Sequence, residues 1–156
     1  MTDRWQEIFE IRDEQRQQLE TARPIVRFKD LPWEENSLGR IRWYMHPNIN
    51  DTAMRSLLLY VQEIPPGSRS GKVKWQGGFA FYVWKGKGYT VINDEKHEWE
   101  EGDIFVLPVL EGGLVYQHFN SDPENSCRLI AVAPNVFEAL GVDLGMGLEQ
   151  LEDAPK

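Results

Sequence analysis

Few side chains in this sequence can do chemistry, and their spacing limits what that chemistry could be. Its 156 residues hold three histidines, His46, His97 and His118, and a single cysteine, Cys127. A facial triad or a three-histidine metal site needs two or three imidazoles or carboxylates converging on one point. His97 stands in the polar segment DEKHEWEEGD, read as a solvated turn. His46 follows RIRWYM and precedes Pro47, where a strand-end hydrogen bond suits it better than ligation. His118 is left, two residues beyond Tyr116 and therefore on the same face of a strand. That pair reads as a buried histidine hydrogen-bonded to Tyr116 or to a backbone carbonyl, or else as an acid–base couple, although the sequence offers no nucleophile beside it. One imidazole next to a neutral phenol is a poor site for a divalent cation, so no bound Fe, Mn, Ni or Zn is expected.

The remaining reactive groups point to structure. Cys127 lies in the apolar run CRLIAVA, which reads as a buried strand with an inert thiol, and a lone cysteine excludes an internal disulfide. The closely spaced glycines of WKGKG and GKGYT fall in a hairpin between strands with no helix after them, so they do not form a phosphate loop. Arg69, Lys72 and Lys74 could hold an anion, but alternation places Lys72 and Lys74 opposite Val73, on an outer face where they are solvated or paired.

These residues must be held by a mostly β framework. Asp3 and Gln6 form a capping-box pattern before Trp5, Ile8 and Phe9 at helical spacing, which predicts a helix over residues 3–21, closed before Pro24. Its apolar stripe is narrow, so it lies across the barrel or a partner instead of inside a core. IVRF, RIRWYM, SLLLYVQEI, AFYVW, GYTVI, DIFVLP, GGLVYQHF and CRLIAVA then read as short strands, with NDEK a hairpin turn. Pro134 opens a short helix, PNVFEAL, ended by Gly141, and an acidic extended tail follows with Glu149, Glu152 and Asp153.

Two segments resemble the paired motifs of the cupin superfamily. Gly67 and Gly86 fall on the two glycines of the first motif, which sets Val73 and Trp75 at its histidine positions and Phe79 at its glutamate. Gly102, Pro108 and Asn120 match the second, with Tyr116 at its histidine and seven residues, including Gly112 and Gly113, between Pro108 and Tyr116 where the family has four. The resemblance covers residues 55–135 and implies an all-β, single-domain cupin double-stranded β-helix, a jelly-roll barrel with an N-terminal accessory helix and a short C-terminal helix. Residues 1–24 would form the helical extension, 25–135 the barrel, and 136–156 the C-terminal helix and acidic tail. It also implies that all four metal-ligand positions, Val73, Trp75, Phe79 and Tyr116, are degenerate. Alternation adds Phe81, His118 and Asn120 to an aromatic interior that is either filled or open to an apolar ligand.

The length suits one domain with a substantial core. A net charge of −8 argues against nucleic acid and anionic membranes as partners. No apolar run approaches a membrane span, and the N-terminus has no signal-peptide pattern, so a cytoplasmic protein is expected. Size, accessory helix and lost ligands are similar to the small subunit of a two-component, hydroquinone-type ring-cleaving dioxygenase. That resemblance implies a metal-free, non-catalytic subunit of a larger cupin chain that carries the Fe(II). The alternatives are a stand-alone cupin, alone or as a homodimer, binding a small apolar or phenolic molecule, and a metal-independent enzyme using His118 and Tyr116.

Overall fold

The computed structural model describes residues 3–140 and 147–156. Helix α1, Arg4–Thr21, begins where Asp3 accepts hydrogen bonds from the backbone N–H groups of Trp5 and Gln6, as the capping pattern requires. None of its side chains is buried. Its C-terminal half borders a shallow cleft against Asn50, Thr52 and Arg55. Among the described residues no helix is long and apolar enough to cross a membrane.

Eleven strands follow among the described residues: β1 Glu34–Asn36, β2 Gly39–Met45, β3 Leu57–Ile64, β4 Lys72–Trp75, β5 Phe79–Lys85, β6 Lys87–Ile92, β7 Glu95–Glu100, β8 Ile104–Leu107, β9 Leu114–Asn120, β10 Cys127–Pro134 and β11 Glu149–Glu152. They form two antiparallel sheets, ordered β1-β2-β3-β10-β5-β8 and β11-β4-β9-β6-β7. The core lies between the sheets, and alternation sorts it as the sequence pattern predicts. Phe79, Phe81 and Val83 of β5, Leu114, Tyr116 and His118 of β9, and Cys127, Leu129, Ala131 and Ala133 of β10 are buried.

Several local expectations are corrected. IVRF forms no strand; Phe28–Asp30 is a 3-10 turn held by Arg42, which stacks 4.5 Å over the Phe28 ring and donates to its carbonyl oxygen. That tertiary cation–π contact outweighs the β propensity of the segment. DEKHEWEEGD is not a turn but contains β7, an edge strand paired with β6, so its polar side chains mark an exposed edge. WKGKG is not a hairpin, because β5 and β6 belong to different sheets. Gly86 makes the crossover at a φ of 91°, where an added Cβ would meet that of Cys127 at 2.8 Å. The NDEK turn does connect β6 and β7, with positive φ at both Asn93 and Asp94. Pro134 ends β10 opposite Leu57, and α2 spans only Phe137–Leu140. Gly141, expected to end it, lies outside the described residues. The acidic tail returns as β11, an edge strand on β4 that Lys72 anchors through Glu152 at 3.2 Å.

A polar cluster sits inside this apolar core. Trp99 Nε1–H donates to Thr90 Oγ1 at 3.0 Å, and Thr90 Oγ1 is 2.8 Å from Nδ1 of His118. The expected partner of His118, Tyr116 or a carbonyl, is thus replaced by a hydroxyl from the adjacent strand β6, which faces it in the ladder. Nε2, packed among Phe81 and Phe105, has no protein partner, and burial pushes the imidazole down to about 3.

The imidazole titrates near 6.5 when the chain is unfolded and near 3 when folded, so between those values protons favour the unfolded chain. His118 therefore costs no stability above pH 6.5 and costs up to about 1.4 kcal/mol per pH unit as the pH falls toward 3. Urea midpoints of the wild type should fall more steeply between pH 6.5 and 4.5 than those of His118→Asn, whose amide can replace Nδ1 as the partner of Thr90. Equal slopes would mean that the folded protein protonates His118 as readily as the unfolded chain does.

Candidate functional site

At one end of the sandwich the core opens into a pocket of about 420 Å³. Its walls come from both sheets: Trp43 of β2, Leu58 and Tyr60 of β3, Val73 and Trp75 of β4, Phe79 of β5 and Tyr116 of β9. Asn36 of β1, Ser37, Leu38, His46, Phe137 of α2, Leu148 and Gln150 of β11 complete the rim. Val73, Trp75, Phe79 and Tyr116, the positions that the sequence resemblance sets at metal-ligand places, all line this one cavity.

Aromatic rings define its shape. The Trp75 and Phe79 centroids are 5.0 Å apart, those of Trp43 and Tyr60 4.8 Å, and Phe137 lies 6.1 Å from Trp75. The Trp75 indole N–H is satisfied by the carbonyl of Gly77 at 3.0 Å, which fixes the ring against the wall. His46 enters through a bulge. Pairing of β2 with β3 shifts register between Trp43 and Met45, so the alternation that would put Met45 beside Trp43 is broken and His46 takes that side. Its ring lies 4.8 Å from Trp43, and Nδ1 accepts the N–H of Asn48 at 3.1 Å, the strand-end bond expected of it. A neutral His46 held this way carries its proton on Nε2.

The pocket is apolar with few polar groups. Burial raises both Tyr60 and Tyr116 above the ordinary phenol value, and their mutual contact adds to the shift at Tyr60 and offsets part of it at Tyr116. Both phenols stay neutral, and no carboxylate or cationic side chain lines the cavity. Among the described residues no three His, Cys, Asp or Glu side chains cluster as a metal site would require. The polar groups that line it, the His46 imidazole, two neutral phenols and the side chains of Asn36, Ser37 and Gln150, suit hydrogen bonding to a small molecule better than a divalent cation.

Three residues grouped with the pocket by alternation lie beyond it. Phe81 is fully enclosed between Phe79, at 5.5 Å, and Phe105, at 5.0 Å. His118 lies deeper along β9, committed to Thr90. Asn120 closes a loop, its amide donating to the carbonyls of Ile64, Pro65 and Asn125 while its carbonyl oxygen accepts from Asp122. Trp43, His46, Leu58, Tyr60 and Phe137 were not identified from sequence. The buried alternation of Leu58 and Tyr60 within SLLLYVQEI was a usable signal; the bulge and the approach of α2 left none.

No protein-family model and no curated protein sequence matches the chain. Solved structures do. The chain is similar to salicylate 1,2-dioxygenase from Pseudoaminobacter salicylatoxidans, seen as its adducts with gentisate, with a TM-score of 0.60 and 20% identity over 95% of this chain and 36% of that one. It thus spans little more than a third of the dioxygenase. A cupin-like protein from Thermotoga maritima matches with a TM-score of 0.54 and 19% identity, over 77% of this chain and 87% of that one. The polyketide cyclase RemF from Streptomyces resistomycificus matches with a TM-score of 0.57 and 19% identity, over 70% and 78% respectively. The two facing antiparallel sheets, the N-terminal helix and these neighbours together make the architecture a cupin jelly roll.

Proposed function

We propose that this chain is a metal-free, non-catalytic cupin subunit of a ring-cleaving aromatic dioxygenase whose Fe(II) resides on a larger cupin chain. One observation carries the reading: the four ligand-equivalent side chains Val73, Trp75, Phe79 and Tyr116 meet in a single cavity, where three have no ligating atom and the fourth is a phenol that burial keeps protonated. The likeness to a salicylate dioxygenase more than twice as long supports a role as one part of such an assembly. So does α1, which leaves Trp5, Ile8 and Ile11 more than half exposed, surface better covered by another chain. A cytoplasmic setting, in which the buried Cys127 thiol stays reduced, is consistent with this role.

A second reading is favoured by the pocket itself, which has the size and aromatic walls of a site for a small phenolic molecule. Tyr60, Tyr116 and His46 would supply the polar contacts. The third reading, acid–base catalysis by His118 and Tyr116, finds no support, because His118 does not line the cavity and its Nδ1 is already engaged.

Gentle purification of the tagged chain from its source cells should yield a stoichiometric larger cupin bearing about one iron. An iron-free chain with no such companion would remove the subunit reading in favour of ligand binding.

The ligand-binding reading has its own test in tryptophan fluorescence titrated with 1-naphthol. Saturable quenching that weakens about tenfold in Tyr116→Phe, the loss of about one hydrogen bond, is the expected result for a phenol site; a linear, non-saturating response would dismiss it.

The combined variant Val73→His, Trp75→His, Phe79→Glu and Tyr116→His should bind about one divalent metal per folded chain where the wild type binds none. A folded variant that stays metal-free would show that these positions do not converge as ligands.

A further inference from the structure

The two sheets have four edges, and three of them carry carboxylates. Edge β1 presents Glu34 and Glu35, edge β7 presents Glu95, Glu98 and Glu100, and edge β11 presents Glu149 and Glu152, all exposed. Charged side chains on an edge strand discourage pairing with another chain. The fourth edge, β8, is unguarded: Ile104 is 69% exposed and Val106 61%, and β8 contains no charged residue.

The main chain of β8 is open on the same side. Phe81 pairs with Phe105 and Phe79 with Leu107, and the carbonyls of Asp103 and Leu107 both accept from β5 or its entry, from Val83 and Gly78. Alternation then turns the N–H and C=O groups of Ile104 and Val106 away from β5. Among the described residues no backbone bond outside the β5 ladder uses them.

We propose that β8 is the interface through which the chain pairs with a second copy of itself, edge to edge, about a two-fold axis at Phe105. Self-pairing there sets Ile104 of each copy opposite Val106 of the other and closes about four main-chain hydrogen bonds, two for each such pair. The side chains then continue one apolar stripe across the axis, since Ile104 already neighbours Tyr82 and Val106 neighbours Ala80 within each sheet. Charge selects the same arrangement. Two copies of a chain with a net charge of −8 repel, so their contact must keep acids from facing each other. In this register Asp103 falls opposite Leu107 of the other copy, and no carboxylate opposes another. A partner with a basic docking surface would find no acid on β8 to pair with. This pairing is independent of the iron-bearing partner proposed above, because it needs only this chain.

Two variants separate edge pairing from general stickiness. Val106→Pro removes an N–H that the fold itself does not use, a substitution edge strands tolerate, and so should leave the folded state intact while blocking the ladder. Val106→Lys keeps the N–H and places a charge in the stripe. Light scattering coupled to gel filtration of the purified chain at 100 µM should give a dimer for the wild type and a folded monomer for both variants. A monomeric wild type, including one that associates only with a different protein, overturns the proposal. A dimer that survives Val106→Pro but not Val106→Lys also overturns it, because the contact would then be face packing and not a shared edge. If the proline variant fails to fold, the lysine variant is combined with hydrogen exchange at Ile104 and Val106. Slow exchange of these amides in the wild type and fast exchange in the folded Val106→Lys monomer supports the shared edge, and fast exchange in both refutes it.

Discussion

A column of aromatic rings runs through the barrel and sets the terms for everything around it. From the pocket rim it passes from Trp43 to Tyr60 at 4.8 Å, to Phe79 at 6.2 Å, to Phe81 at 5.5 Å, to Phe105 at 5.0 Å and to Trp99 at 6.1 Å. The first five rings stand on the six-stranded sheet and the last, Trp99, on the other, so the column lines one inner face and reaches across at its deep end. Each such ring withdraws on the order of 150 to 250 Å² of surface from water, a larger share of the stability than any polar contact in the interior. A medium this apolar penalises charge, so the polar groups within it stay neutral. That is why His118 is held uncharged against Thr90, and why the phenols of Tyr60 and Tyr116 resist ionisation.

The column also decides what the pocket can do. Side chains of β4, β5 and β9 meet in the pocket, and three of the four they deliver there, Trp75, Phe79 and Tyr116, are aromatic. Trp75, Phe79 and Phe137 narrow the space to a cavity the size of a small ring system instead of filling it. Polar groups enter only at the rim and from Tyr60 and Tyr116, so selectivity would come from shape and from one or two hydrogen bonds.

Outside the barrel, cations do the work that apolar contacts do within. Trp33 is flanked by Arg40 at 4.5 Å and Arg42 at 4.3 Å, and this clamp seats the segment after α1 on the outer face of the six-stranded sheet. Glu63, only 9% exposed at its side chain, bonds both Arg40 and Arg128 at 2.7 Å, so two of the three guanidiniums share one negative charge. With the carboxylate buried and the guanidiniums part exposed, these pairs are screened less than the fully exposed pairs of α1. The clamp leaves the outer face basic at one end and apolar at the other, toward β8.

Much of the fold could be read from the residues themselves. Alternation in AFYVW, GGLVYQHF and CRLIAVA identifies the inward faces of β5, β9 and β10 because a strand has only two faces and one of them must be dry. Glycine spacing marks a break between strands at Gly86, where no side chain fits beside Cys127, but does not show that the break is a crossover between sheets. What the sequence could not determine depends on contacts between distant segments. Phe28 gives up a strand for the guanidinium of Arg42, the tail becomes β11 through Lys72, His118 finds Thr90 on a neighbouring strand, and the bulge in β2 brings His46 to the pocket in place of Met45. Periodicity reports which face of a strand is buried, and that is a local property. Which residue lies opposite, and where register slips by one, is set by the packing of whole sheets, and only the tertiary structure contains it.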